Sequence, residues 1–281
     1  MPGVHAFRPA FGAEPAQFVS GVSAVEVYAT VTDSKGEPVR GLTAADFRVE
    51  EDGRPQAIQT FAAGEFPLAL AIGVDRSFSV PRDQLDAAAA AARSFVQRLR
   101  PSDQVMVLAI GSQVEAISAL SPNHAAATAA LERLEPWGTT PLYDATLNAL
   151  DAIQSASGRR ALILLSDGED RYSAASADAV VAEARRRDVL VYPIATGRKR
   201  PPMFVELASV TGGRSFHAIE RRALGAALES IALELRSQYL LGYTPSADDV
   251  RRGWRSIRVT VSRPDARVRA RDGYFVERSP R

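Results

Sequence analysis

The chain has 281 residues, 46% of them hydrophobic and 24% charged, proportions of a globular protein with a full core and not of a disordered, fibrous or coiled-coil chain. A net charge of +1 argues against a nucleic-acid binder that works by neutralising many phosphates. With no cysteine and only His5, His124 and His217, disulfide frameworks, thiolate metal sites and cysteine nucleophiles are excluded and histidine-rich centres are poorly supplied, so ligand chemistry falls to oxygen.

Residues 1–20 read as an N-terminal extension. Met1 to Ala16 lacks the basic-then-apolar pattern of a secretion signal, and no window holds the apolar run that a bilayer span needs. From Val22 to Phe61 the signals are strands. Val25 to Val31 alternates, Asp33-Ser34-Lys35-Gly36 reads as a turn, Phe47-Arg48-Val49 leads into a turn at Glu51-Asp52-Gly53, and a further strand is expected over Gln56 to Phe61.

The pattern changes at Pro67. Continuous apolar runs at Leu68–Val74, Val105–Ile110, Ala161–Leu165 and Val189–Ile194 suit a parallel sheet covered on both faces. Helical stretches separate them at 82–99, 124–134, 142–155, 174–187, 202–211 and 222–237. This alternation implies a doubly wound, mostly parallel α/β sheet with right-handed crossovers. Val114–Leu120 follows Ile110 after too short a link for a parallel neighbour and is expected as an antiparallel edge strand.

Strands return between Tyr239 and Phe275, with Trp254–Val261 and Arg267–Val276 joined by a turn at Arg263-Pro264-Asp265. Neither terminal set has enough strands to bury a face alone. The expected organisation is a β-sandwich from residues 21–64 plus 238–277, with the α/β domain over 65–237 inserted between its halves.

In open α/β sheets ligands sit beyond the carboxyl ends of the strands. The first apolar run ends in Asp75-Arg76-Ser77-Phe78-Ser79, and the third in Ser166-Asp167-Gly168-Glu169-Asp170. Gly138-Thr139-Thr140-Pro141 precedes the helix starting near Leu142 and sets a threonine hydroxyl close to its N-terminus. Two carboxylates and three hydroxyls would converge at one sheet edge, an all-oxygen set suited to Mg²⁺ before Ca²⁺. Capping of the helix after Asp75 would account for one of these hydroxyls, but not for the coincident Thr140 and Asp167.

Asp75-x-Ser77-x-Ser79, then Thr140 in Gly-Thr-Thr-Pro-Leu-Tyr-Asp-Ala, then Asp167 in Leu-Ser-Asp-Gly, resembles the metal-ion-dependent adhesion site of von Willebrand factor A domains. The flanks, with Val31-Thr32-Asp33, Gly41-Leu42-Thr43, Asp46-Phe47 and Glu51-Asp52-Gly53 before the domain and Tyr239-Leu240-Leu241-Gly242-Tyr243 after it, resemble those of bacterial proteins of this type. The domain resemblance spans roughly Pro67 to Ser237. It implies that Ser77, Ser79 and Thr140 offer hydroxyl oxygens to a metal, that Asp75 and Asp167 bind it directly or through water, and that an open position takes an exposed Asp or Glu of a protein partner. Mg²⁺ is the implied ion, with Mn²⁺ or Ca²⁺ as substitutes. Phe78 and Thr139 stand where glycine is common in the family; Phe78 at the rim would serve as an apolar anchor, and either threonine could reach the metal, Thr140 aligning better.

This reading is a non-enzymatic protein-binding module with no catalytic residues, no nucleic-acid partner and no membrane span. The resemblance leans toward an exported protein, periplasmic or extracellular, whose leader lies outside this chain, with a cytoplasmic one left open. Two other classes stay in view: an assembly protein with a vestigial metal site, and a metal-dependent phosphohydrolase, which would need an aspartate where Ser77 stands. Glu169 and Asp170 read as solvated, the histidines as surface or packing residues, and Arg198-Lys199-Arg200 either as a solvated loop or as a basic rim steering acidic partners.

Overall fold

The computed structural model describes residues 24–64, 66–245 and 253–276. The extension expected over 1–20, and His5 with it, lie outside the described residues.

Apolar runs build the central sheet. In β5 (Leu68–Asp75) every residue is buried, as is every one in β9 (Leu190–Ala195), and β6 (Gln104–Ile110) and β8 (Arg159–Ser166) each depart at a single position. These four strands are parallel, and β7 (Val114–Ser121) closes one edge antiparallel to β6, as its short link requires. The opposite edge is β10 (Phe216–His217), a two-residue strand too short to register as a periodic pattern. The order is β10-β9-β8-β5-β6-β7.

Helices cover both faces because each carries one apolar stripe. On one face α1 (Arg82–Val96), α2 (His124–Glu132) and α6 (Arg221–Leu235) bury Leu85, Phe95, Leu131, Leu228 and Ile231 against β5, β6 and β8. On the other, α3 (Leu142–Gln154), α4 (Ala177–Arg186) and α5 (Pro202–Thr211) bury Leu150, Ile153, Val180, Phe204 and Leu207. Each such side chain contributes about 1.5–3 kcal/mol. From β5 the chain goes first to β6 on one side and later to β8 on the other, so the crevice beyond β5 and β8 is the topological switch point where ligands bind in such folds.

Two four-stranded sheets form the flanking sandwich. One runs β13 (Arg267–Arg269), β1 (Val25–Thr32), β11 (Gln238–Tyr243), β4 (Thr60–Gly64); the other runs β14 (Gly273–Val276), β12 (Gly253–Val261), β2 (Phe47–Glu51), β3 (Arg54–Gln56). Val27, Val31, Val49, Leu241 and Ile257 fill the space between them. Two expected strands are corrected here. The strand expected over Gln56–Phe61 is two, because β3 ends the hairpin with β2 while β4 crosses to pair with β11. The strand expected over Arg267–Val276 also divides: β13 pairs with β1, and β14 with β12. At that crossing the Asp272 N–H bonds to the Val210 carbonyl at the end of α5, so the backbone leaves one sheet to dock on the helix.

Inside the sandwich Glu51 and Arg255 form a buried ion pair at 2.9 Å. The other carboxylate oxygen of Glu51 accepts hydroxyls from Tyr243 at 2.7 Å and Tyr274 at 2.9 Å. The sandwich meets the amino ends of the parallel strands. There the buried Arg159 donates to Gln238 at 2.7 Å, and Gln238 donates to Thr30 at 2.9 Å. Glu234, buried on α6, takes Arg214 at 3.1 Å and Arg269 at 2.7 Å. With the sandwich fixed at that end, the carboxyl edge of the sheet faces away from it.

Candidate metal centre

Asp75 is the last residue of β5 and is 2% exposed. The register pairs Val74 with Leu165, which sets Asp75 beside Ser166 at the end of β8. Ser166 donates its hydroxyl to Asp75 Oδ2 at 2.6 Å, while Asp75 Oδ1 accepts the Ser77 N–H at 3.0 Å and the Thr140 hydroxyl at 3.1 Å. The Ser77 and Ser79 hydroxyl oxygens lie 3.0 Å apart. Ser77 and Thr140 are buried, Ser79 and Asp167 half-buried.

The structure therefore links Asp75, Ser77, Ser79 and Thr140 by direct hydrogen bonds. Asp167 caps its own turn, accepting the Glu169 N–H at 2.9 Å. Burial pushes the Asp75 carboxyl above its ordinary range, hydrogen bonds from Ser166 and Ser77 oppose that, and the nearby charge of Asp167 adds to it. The turn is held close by two glycines. A Cβ at Gly197 would lie 2.3 Å from the Asp167 carbonyl oxygen, and one at Gly168, where φ is +83°, would meet Pro201.

Of the two threonines, Thr140 faces Asp75, whereas Thr139 is exposed and bonds through its N–H to Ser112 at 3.0 Å. Phe78 is 72% exposed at the rim. Asp170, expected as a solvated residue, instead caps α3: its carboxylate accepts the Tyr143 N–H at 3.1 Å and the Ser173 hydroxyl at 2.5 Å. Glu169 pairs with Arg171 at the surface. His124 and His217 each bond through Nε2 to a backbone carbonyl, of Asp103 and Gly197 respectively, at 2.8 Å. Arg198 and Lys199 are exposed in the loop that packs on the Asp167 turn, while Arg200 is held by Ser215.

Ser166 is the residue that sequence reasoning missed. It was visible only as the first residue of a turn, and its importance depends on a strand register that a sequence does not display.

The donors suit a hard divalent cation. Asp75 is a buried carboxylate that makes no ion pair with a basic side chain among the described residues, and every side-chain donor around it is a hydroxyl. No group of three or more His, Cys, Asp or Glu suited to a metal occurs among the described residues. A cation here would thus depend on hydroxyl oxygens as well as carboxylates.

An open α/β sheet with an all-oxygen crevice at its switch point defines a doubly wound α/β domain. Residues 70–169, which contain all five expected site positions, match the model of the von Willebrand factor type A domain. Among solved structures, a von Willebrand factor type A protein from Catenulispora acidiphila superposes with a TM-score of 0.53 at 15% identity, covering 82% of this chain and 74% of that one. Proximal thread matrix protein 1 from the mussel byssus, solved with a zinc-occupied MIDAS motif, gives 0.51 at 17% identity over 66% of this chain and 49% of its own length. An aerotolerance-related membrane protein from Bacteroides fragilis gives 0.48 at 17% identity, over 60% of this chain and 98% of that one. A comparison with curated proteins finds no match. At these identities the first two likenesses establish the fold.

Proposed function

We propose that this chain is a non-enzymatic protein-binding module that engages an acidic residue of its partner through a divalent cation, Mg²⁺ first and Mn²⁺ or Ca²⁺ as substitutes. The observation that carries the reading is the buried Asp75 carboxylate ringed by the hydroxyls of Thr140 and Ser166 and adjoining the Ser77–Ser79 pair. Ser77, Ser79 and Thr140 would offer neutral oxygens, with Asp75 and Asp167 orienting the shell and balancing charge. A cation held largely by neutral oxygens retains the positive charge that draws a partner's carboxylate. Ser166 fixes the rotamer of Asp75, and Phe78 and Thr139 form the rim on which the partner rests. The zinc-occupied motif of the mussel byssus protein supports a divalent ion at such a site.

Thermal denaturation of the full chain in Mg²⁺ and in EDTA tests this. At a concentration a hundredfold above Kd the ion should add about 2.7 kcal/mol of stability. Asp75→Ala should erase the difference, and an equal Mg²⁺ response in that variant would refute the assignment.

A further inference from the structure

Four aromatic side chains are exposed among the described residues, and three of them, Phe78 at 72%, Trp137 at 40% and Tyr172 at 85%, sit in loops at the carboxyl edge of the sheet. Exposed aromatics clustered in this way are a mark of a docking surface.

These loops are joined around the Asp75 crevice. The Phe78 N–H bonds to the Gly138 carbonyl at 3.0 Å and the Trp137 N–H to the Arg76 carbonyl at 2.7 Å, so the first two ring-bearing loops are zipped together. The Arg76 guanidinium lies 5.2 Å from the Trp137 ring centroid. A Cβ at Gly111 would stand 2.5 Å from the Trp137 carbonyl oxygen, so Trp137 rests on the turn after β6. The third loop joins through the Arg171 N–H, which bonds to the Thr140 carbonyl at 2.7 Å.

Tyr172 has φ at +68°, a left-handed conformation that costs a non-glycine residue about 1–2 kcal/mol. Its neighbours over-determine it. Asp170 and Ser173 bind the N-terminus of α3, and the Asp144 carboxylate accepts the Ala174 and Ala175 N–H groups at 2.8 and 2.9 Å. A ring with no place in the core is thus held out rigidly beside Thr140, which lowers the entropy lost when it is covered. Arg198 and Lys199, exposed beside the Asp167 turn and in no ion pair among the described residues, give this rim positive charge.

Resting on the metal-dependent reading above, we infer that the rim recognises a protein segment whose metal-seeking Asp or Glu is flanked within a few positions by aromatic or other apolar side chains. The carboxylate complements the cation and the basic loop; the apolar neighbours cover Phe78, Trp137 and Tyr172.

A random linear peptide library displayed on phage, selected on the full chain in Mg²⁺, tests this specificity. Enriched peptides should pair an acidic residue with an aromatic or apolar neighbour. Their affinity should fall about tenfold or more in Tyr172→Asn, which suits the positive φ, and in Phe78→Ser, each checked for an unchanged Tm in EDTA. Enriched peptides without apolar neighbours, undiminished affinity in both variants, or no enrichment at all would overturn the inference. Binding that survives EDTA yet falls in the variants would overturn the metal-dependent reading and leave the apolar docking surface standing.

Discussion

Ser166 and Asp75, 91 residues apart in the chain, are joined by a 2.6 Å hydrogen bond at the ends of two adjacent parallel strands. That bond holds one oxygen of a buried carboxylate so that the other turns toward Ser77 and Thr140.

Ser166→Ala removes a donor to a buried charged acceptor and should cost about 1–3 kcal/mol. Urea denaturation in EDTA reads the loss. The same variant should bind Mg²⁺ more weakly, because Asp75 is then held through one oxygen only, by Ser77 and Thr140; wild-type stability and Mg²⁺ affinity together would show that Ser166 plays no positioning part.

In the sandwich, Arg255→Met leaves the buried Glu51, among the described residues, with its tyrosine partners Tyr243 and Tyr274. Breaking one side of a buried ion pair costs about 3–5 kcal/mol. Chemical denaturation should show a loss of that size, and the double variant with Glu51→Gln should recover part of it. A single-variant loss within experimental error would mean the pair is not buried in solution.

Burial raises the hydroxyl pKa of Tyr28, Tyr192, Tyr243 and Tyr274 above the ordinary 10.0, with the negative charge of Glu26, Glu234 and Glu51 adding to it. The folded state therefore keeps protons that the unfolded chain releases, so this stabilisation is fully present below pH 10 and is lost as pH rises through the folded values. Tyrosinate absorbance should show a step for these four groups that coincides with alkaline unfolding. Their ionisation at ordinary pH with the fold intact would contradict the burial.

Much of this architecture could be read from the residues. Seven consecutive apolar or small residues, Leu68 to Val74, suit a strand covered on both faces, and the Asp75, Thr140 and Asp167 segments were each marked by standing at a strand end or helix start. What stayed hidden depends on tertiary pairing. Ser166 matters through register, Asp170 through the distant amide of Tyr143, and the division of the strand expected over Arg267–Val276 through the carbonyl of Val210. Arg255 was hidden for a related reason: on an alternating strand it shares the inward face with Ile257, and its ion pair with the Glu51 carboxylate of the neighbouring strand helps make a buried guanidinium tolerable.

Calorimetric titration of the full chain with Mg²⁺ bears most directly on the central claim, with the Ser77→Ala, Ser79→Ala double variant as comparison. One ion should bind the wild type, and affinity should fall at least about tenfold in the variant, which removes two hydroxyl oxygens yet keeps both carboxylates. Equal affinity in the two proteins, or no heat of binding in the wild type, would contradict the account.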